Sequence, residues 1–144
     1  MTRIAHLMTP APVAIGAGTS VEEASRLMAS LGLRHLPVVD DDGRLVGMVS
    51  DRDLRGPLVG DGGARPTPAP GDPVGALMAR DVVTALPGEE LGVVARRIID
   101  RRIGAVPVVD EGGGLQGIVS YVDVLRRLAD DADADARAVE RMDG

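Results

Sequence analysis

Apolar and polar positions follow two rhythms along this chain, and each rhythm occurs twice. Val21, Ala24, Leu27, Met28 and Leu31 recur at three- and four-residue spacing, which lays them on one face of an α-helix. Ser20-Val21-Glu22-Glu23 ahead of them has capping-box spacing, in which the hydroxyl accepts from the third amide and the glutamate reaches back. Gly32 predicts the stop, because glycine tolerates the positive φ of a helix C-terminus. Outside this helix the rhythm shortens. Residues 12–15 predict a short strand, 16–19 a turn, 36–39 a buried strand, and 40–43 a second turn. Residues 44–49 predict a returning strand, antiparallel to the one before. Ser50 opens a further helix through Asp51-Arg52-Asp53-Leu54. The order is strand, helix, strand, strand, helix.

A shift of 70 residues lays the chain on itself without a gap. Leu7-Met8 falls on Leu77-Met78, Val13 on Val83, and Pro37-Val38-Val39-Asp40 on Pro107-Val108-Val109-Asp110. Gly47, Val49, Ser50 and Asp53 fall on Gly117, Val119, Ser120 and Asp123. The second copy therefore predicts a helix near residues 90–102 and a hairpin across 111–114. The boundaries read as repeat 1 over 1–58, a linker over 59–73, repeat 2 over 74–128, and an acidic tail over 129–144. Ten of the 18 residues from 56 to 73 are Gly or Pro, which resists regular structure. The tail has six acids and two arginines and no apolar face, so it reads as a frayed helix or a solvated extension. A unit of some 55 residues buries little surface alone. The expected fold class is α/β (α+β): two repeats packed sheet to sheet with pseudo-two-fold symmetry around a shared cleft.

Composition narrows the chemistry. The 144 residues carry a net charge of −6, and all 16 basic residues are Arg. Cysteine is absent, which excludes disulfide and thiolate chemistry, and two histidines are too few for an ordinary zinc site. Tyr121 is the lone aromatic residue, so bases have no row of rings to stack on, and the negative balance argues against nucleic-acid binding. No apolar run approaches the length of a membrane span and the first residues lack the apolar stretch of a signal peptide, so the expectation is a cytoplasmic protein away from the membrane. Gly112-Gly113-Gly114-Leu115-Gln116-Gly117 spells a dinucleotide fingerprint, but it occupies a predicted hairpin and enters a strand rather than a helix. Asp40-Asp41-Asp42 lies on a turn, where three successive carboxylates do not converge on a cation. Arg96-Arg97 and Arg101-Arg102 read as a salt-laced, exposed helix face.

The repeated elements resemble the cystathionine-β-synthase (CBS) domain in its tandem, stand-alone bacterial form. Leu7-Met8-Thr9 and Leu77-Met78 carry the likeness, with Leu36-Pro37-Val38-Val39-Asp40 and Val106-Pro107-Val108-Val109-Asp110. So do Gly47-Met48-Val49-Ser50-Asp51-Arg52-Asp53 and Gly117-Ile118-Val119-Ser120-Tyr121-Val122-Asp123. The resemblance implies a non-catalytic, regulatory ligand sensor that requires no cofactor. It implies AMP, ADP or ATP as ligand, less often S-adenosylmethionine or NADH, a homodimer, and a regulated protein partner of unknown identity. The alternative is a structural or protein-interaction module that binds no nucleotide.

The residues can be weighed for that ligand. Ser50 and Ser120 stand at predicted helix starts, where free amides and the dipole favour phosphate. Asp53 and Asp123, one turn on, can accept from ribose hydroxyls. Adenine would bond to backbone near Val13 and Val83. Ser-x-x-Asp is also an ordinary cap, and a carboxylate engaged by the serine amide is less free for ribose. Basic residues of the family often face phosphate at the positions of Arg34, His35 and Arg52, whose counterparts are Gly104, Ala105 and Val122. The first pocket is therefore expected to take the phosphorylated ligand and the second a weaker or less charged one. Tyr121 stands either at a pocket mouth or in a partly buried structural place.

Overall fold

The computed structural model describes residues 2–55 and 68–143. Strands are β1 (Thr9–Pro10), β2 (Ile15–Gly16), β3 (His35–Val39), β4 (Leu45–Ser50), β5 (Ala105–Val109) and β6 (Leu115–Ser120). Helices are α1 (Val21–Leu31), α2 (Asp51–Arg55), α3 (Leu91–Arg101) and α4 (Tyr121–Asp143). Short 3-10 turns cover Ile4–His6 and Val74–Ala76.

Helix α1 follows its sequence signals closely. Ser20 Oγ accepts from the Glu23 amide at 3.1 Å, and Gly32 ends the helix at φ 67°. The glutamates do not complete the reciprocal cap among the described bonds; Glu22 pairs with Arg26 instead. Val21, Ala24 and Met28 are buried. The hairpins β3–β4 and β5–β6 are antiparallel, with the same register irregularity at Val38/Val39 and at Val108/Val109. Gly113 turns the second hairpin at φ 88°, and Asp110 Oδ1 accepts from the Gly112 and Gly114 amides. The Gly-rich string is thus a turn.

Three expectations change. The strand expected over 12–15 starts only at Ile15, because β2 pairs in parallel with Val38–Val39 of β3 and earlier residues have no strand opposite them. Its counterpart in repeat 2 shrinks to a bridge between Ala85 and Val108. The tail is continuous helix through Asp143: Ala- and Arg-rich sequence extends α4 although that last stretch has no core to cover. The linker expected over 59–73 lies outside the described residues up to 67. Residues 70–73 are ordered against α1, where the Val21 and Glu22 amides donate to Asp72 and Pro70 carbonyls at 2.8 and 2.9 Å. Those are two of the orphan amides of a helix start.

The two halves exchange their leading segments. β1 pairs with β6, not with its own hairpin, and Met48 of β4 bridges Ala79. Ile4 is fully buried in the second core with Val94, Val106, Val108 and Val119, while Val74 and Met78 enter the first core with Leu36, Val38 and Val49. Leu91 N donates to Thr2 O at 2.9 Å, mirroring the Val21–Asp72 bond. The hairpin tips also meet: Leu45 N donates to Gly113 O, and Leu115 N to Gly43 O, at 2.9 and 3.0 Å. The result is two three-stranded sheets, β2-β3-β4 and β1-β6-β5, locked across a pseudo-two-fold axis. No helix among the described residues is long and apolar enough to cross a membrane.

Candidate functional site

Each Ser-x-x-Asp sits where a hairpin's second strand becomes a helix. Ser50 ends β4 and Ser120 ends β6; Asp53 lies in α2 and Asp123 in α4. Both form complete reciprocal caps. Asp53 Oδ2 accepts from the Ser50 amide at 3.0 Å, and Ser50 Oγ accepts from the Asp53 amide at 3.1 Å. The second pair repeats this at 2.9 and 3.2 Å. The caps leave capacity over. A serine hydroxyl that accepts through a lone pair still owns its proton, and an aspartate engaged through Oδ2 still has Oδ1.

Ser50 and Asp53 line a cavity of about 290 Å³, close to the lower end of small-molecule sites. Its other walls are His35 and Met48 from the first half, and Ala79, Asp81, Val82, Val83 and residues 102–105 from the second. The cleft is therefore built by both repeats. Of the expected residues it gathers His35, Ser50, Asp53 and Val83. Register explains His35, which lies opposite Ser50 in the β3–β4 ladder. Gly104 permits the close approach of the other half: a Cβ there would stand 3.0 Å from His35 Cε1. Burial pushes the His35 imidazole below its ordinary value, outweighing the opposing pull of the Asp51 and Asp53 carboxylates; Arg34 lowers it further. The neutral form of His35 is thereby favoured.

The remaining expected residues lie elsewhere. Arg34 is exposed and lines a separate outer groove with Asp51, Leu54 and Arg55. Arg52 is exposed on α2 and does not line the cleft. Val13 is 41% exposed. By the 70-residue correspondence, Val13, Arg34, Ser120 and Asp123 hold the places that Val83, Gly104, Ser50 and Asp53 hold at the described cleft. Tyr121 is half-exposed at the start of α4, its amide donating to Gly104 O.

Of the four arginines expected on an exposed helix face, one is drawn inward and another leaves the helix. Arg97 is half-buried, makes a two-pronged pair with Glu89 and donates to Thr84 O, so it ties α3 to the chain before it. Arg102 is exposed as expected, but it lies past the end of α3 at φ 53° and lines the mouth of the cleft. Helical periodicity continued one residue too far hides it. The signal that finds it is the repeat itself, since Arg102 falls on Gly32.

Similarity to known proteins agrees with this architecture. The CBS domain family matches the chain twice, over residues 4–60 and 74–130. A homoserine O-acetyltransferase of Methanococcoides burtonii is 34% identical over 127 residues, which is 88% of this chain and 24% of that enzyme. The chain thus spans about a quarter of that relative's length. Among solved structures, the CBS domain pair of protein MJ0100, in complex with 5′-methylthioadenosine and S-adenosyl-L-methionine, superposes with a TM-score of 0.79. It is 27% identical and covers 91% of this chain and 98% of its own. CBSX2 in complex with AMP superposes at 0.77 with 26% identity, covering 92% and 99%.

Proposed function

The chain belongs to the CBS domain family as a tandem pair, and from that premise we propose that it is a non-catalytic regulatory module that binds AMP, ADP or ATP between its repeats. The carrying observation is the Ser50–Asp53 pair, whose spare hydroxyl proton and spare carboxylate oxygen border a cavity with walls from both repeats. The carboxylate can accept from ribose hydroxyls, and the hydroxyl can donate to a phosphate or ribose oxygen. Val82 and Val83 offer apolar surface and backbone groups to adenine. Structures of similar chains with AMP, methylthioadenosine and S-adenosylmethionine support the choice of an adenosine ligand. A ligand bridging both halves biases their relative position, and a second copy of the chain or a regulated protein reads that change.

A panel of AMP, ADP, ATP, S-adenosylmethionine and NADH tests the reading. Ligand at about 100 times its dissociation constant stabilises the fold by about 2.7 kcal/mol, visible as a rise in melting temperature. Asp53→Asn should abolish the rise for the responding ligand. No rise with any of the five favours the second reading, a scaffold that binds no nucleotide. The completed reciprocal caps support that second reading, because they give Ser50 and Asp53 a structural duty without any ligand.

A further inference from the structure

The charges around the cleft single out one residue. Asp53 and Asp81 bring carboxylates, burial favours the neutral form of His35, and Arg102 is the single arginine among its lining residues. Arg102 forms no ion pair among the described residues, whereas Arg97 within α3 is engaged by Glu89. Its backbone is unusual. Gly32 and Arg102 occupy equivalent places and both adopt the left-handed conformation, at φ 67° and φ 53°. Glycine takes that conformation freely, whereas a residue with a Cβ is strained there. Open space surrounds a Cβ built at Gly32, so no packing demand of the fold calls for a large side chain at this helix end.

We infer that Arg102 is the specificity-determining residue that directs the Ser50–Asp53 cleft towards a phosphorylated nucleoside over the free nucleoside. This rests on the nucleotide reading above and deepens it. Asp53 and Asp81 set two carboxylates on the cleft wall, so a phosphate there is favoured by a cation beside it. Arginine supplies that cation as a planar donor fork suited to phosphate oxygens. The left-handed turn carries it from the end of α3 to the cleft wall. Arg34, the other candidate, lies in the outer groove.

Calorimetry of AMP and adenosine against the full chain tests this, with the His35 ring proton followed by NMR. His35 lines the cleft and the chain's other histidine, His6, does not, so the His35 resonance reports this cleft specifically. The wild type should bind AMP about 10- to 100-fold tighter than adenosine at the site that shifts His35, the span of a charge-assisted hydrogen bond. R102G should erase that preference, leave adenosine affinity unchanged and raise the melting temperature. R102K should keep part of the preference, a readout that a merely structural role would not produce. An undiminished AMP preference in R102G overturns the role of Arg102 and leaves nucleoside binding standing. If neither ligand moves the His35 resonance, the inference and the nucleotide reading fall together.

Discussion

At Ser50 and Asp53 the cap and the proposed ligand contact are compatible, because each group has more hydrogen-bonding capacity than the cap consumes. His35 beside them is tuned by where it sits. Burial depresses its pKa, so the unfolded chain binds more protons than the folded chain just below the ordinary value of 6.5. Its contribution to stability is therefore full above pH 6.5 and falls as pH drops through that value. Urea unfolding across pH 7.5 to 5.5 should show this decline, and His35→Gln should flatten it. Equal slopes in the two proteins would remove His35 as its source. Glu89 acts in a separate window. The hydrogen bond from Arg97 holds its carboxyl low, and that stabilisation is present above 4.5 and lost as pH falls below it.

Between elements, the closest constraint is the seating of a swapped segment on a strand glycine. A Cβ on Gly117 would stand 2.9 Å from Thr9 O, and one on Gly47 would stand 2.9 Å from Ala79 O. Methionine sulfur is also close in both places, but a methionine can move and a paired backbone cannot. Gly117→Ala should therefore cost roughly 1–3 kcal/mol, the usual range for overpacking. Met8→Ala in the same chain should recover only a small part. Full recovery by Met8→Ala, measured by denaturant unfolding, would show that the side chain and not the backbone sets the limit. The repeated elements around these glycines were legible because caps, hairpins and helix faces are local. Ser20, Gly32 and the Pro-Val-Val strands needed only their neighbours. Arg102 was not legible in that way, since its place depends on where α3 unwinds.

Across the whole molecule the leading segments make each half depend on the other. Ile4 belongs to the first repeat by sequence and to the second core by packing. Ile4→Ala should cost about 2–5 kcal/mol, as for other buried large-to-small changes. Its lost hydrogen-exchange protection should appear in β5 and β6 before β3 and β4. Protection lost first in the nearer hairpin β3–β4 would contradict the exchanged packing.

Periodicity, caps and a 70-residue repeat were enough to establish two αβ units, their hairpins, and the paired Ser-x-x-Asp caps. All of these rest on contacts between residues close in sequence, or on comparing one half with the other. Tertiary structure alone decided which wall faces which serine. Ser50 and Asp53 meet Val83 and Arg102 from 30 or more positions away, because segment exchange and the joined hairpin tips set the halves against each other. Such pairings depend on the shape of two folded surfaces, and no spacing along a single chain encodes that shape directly.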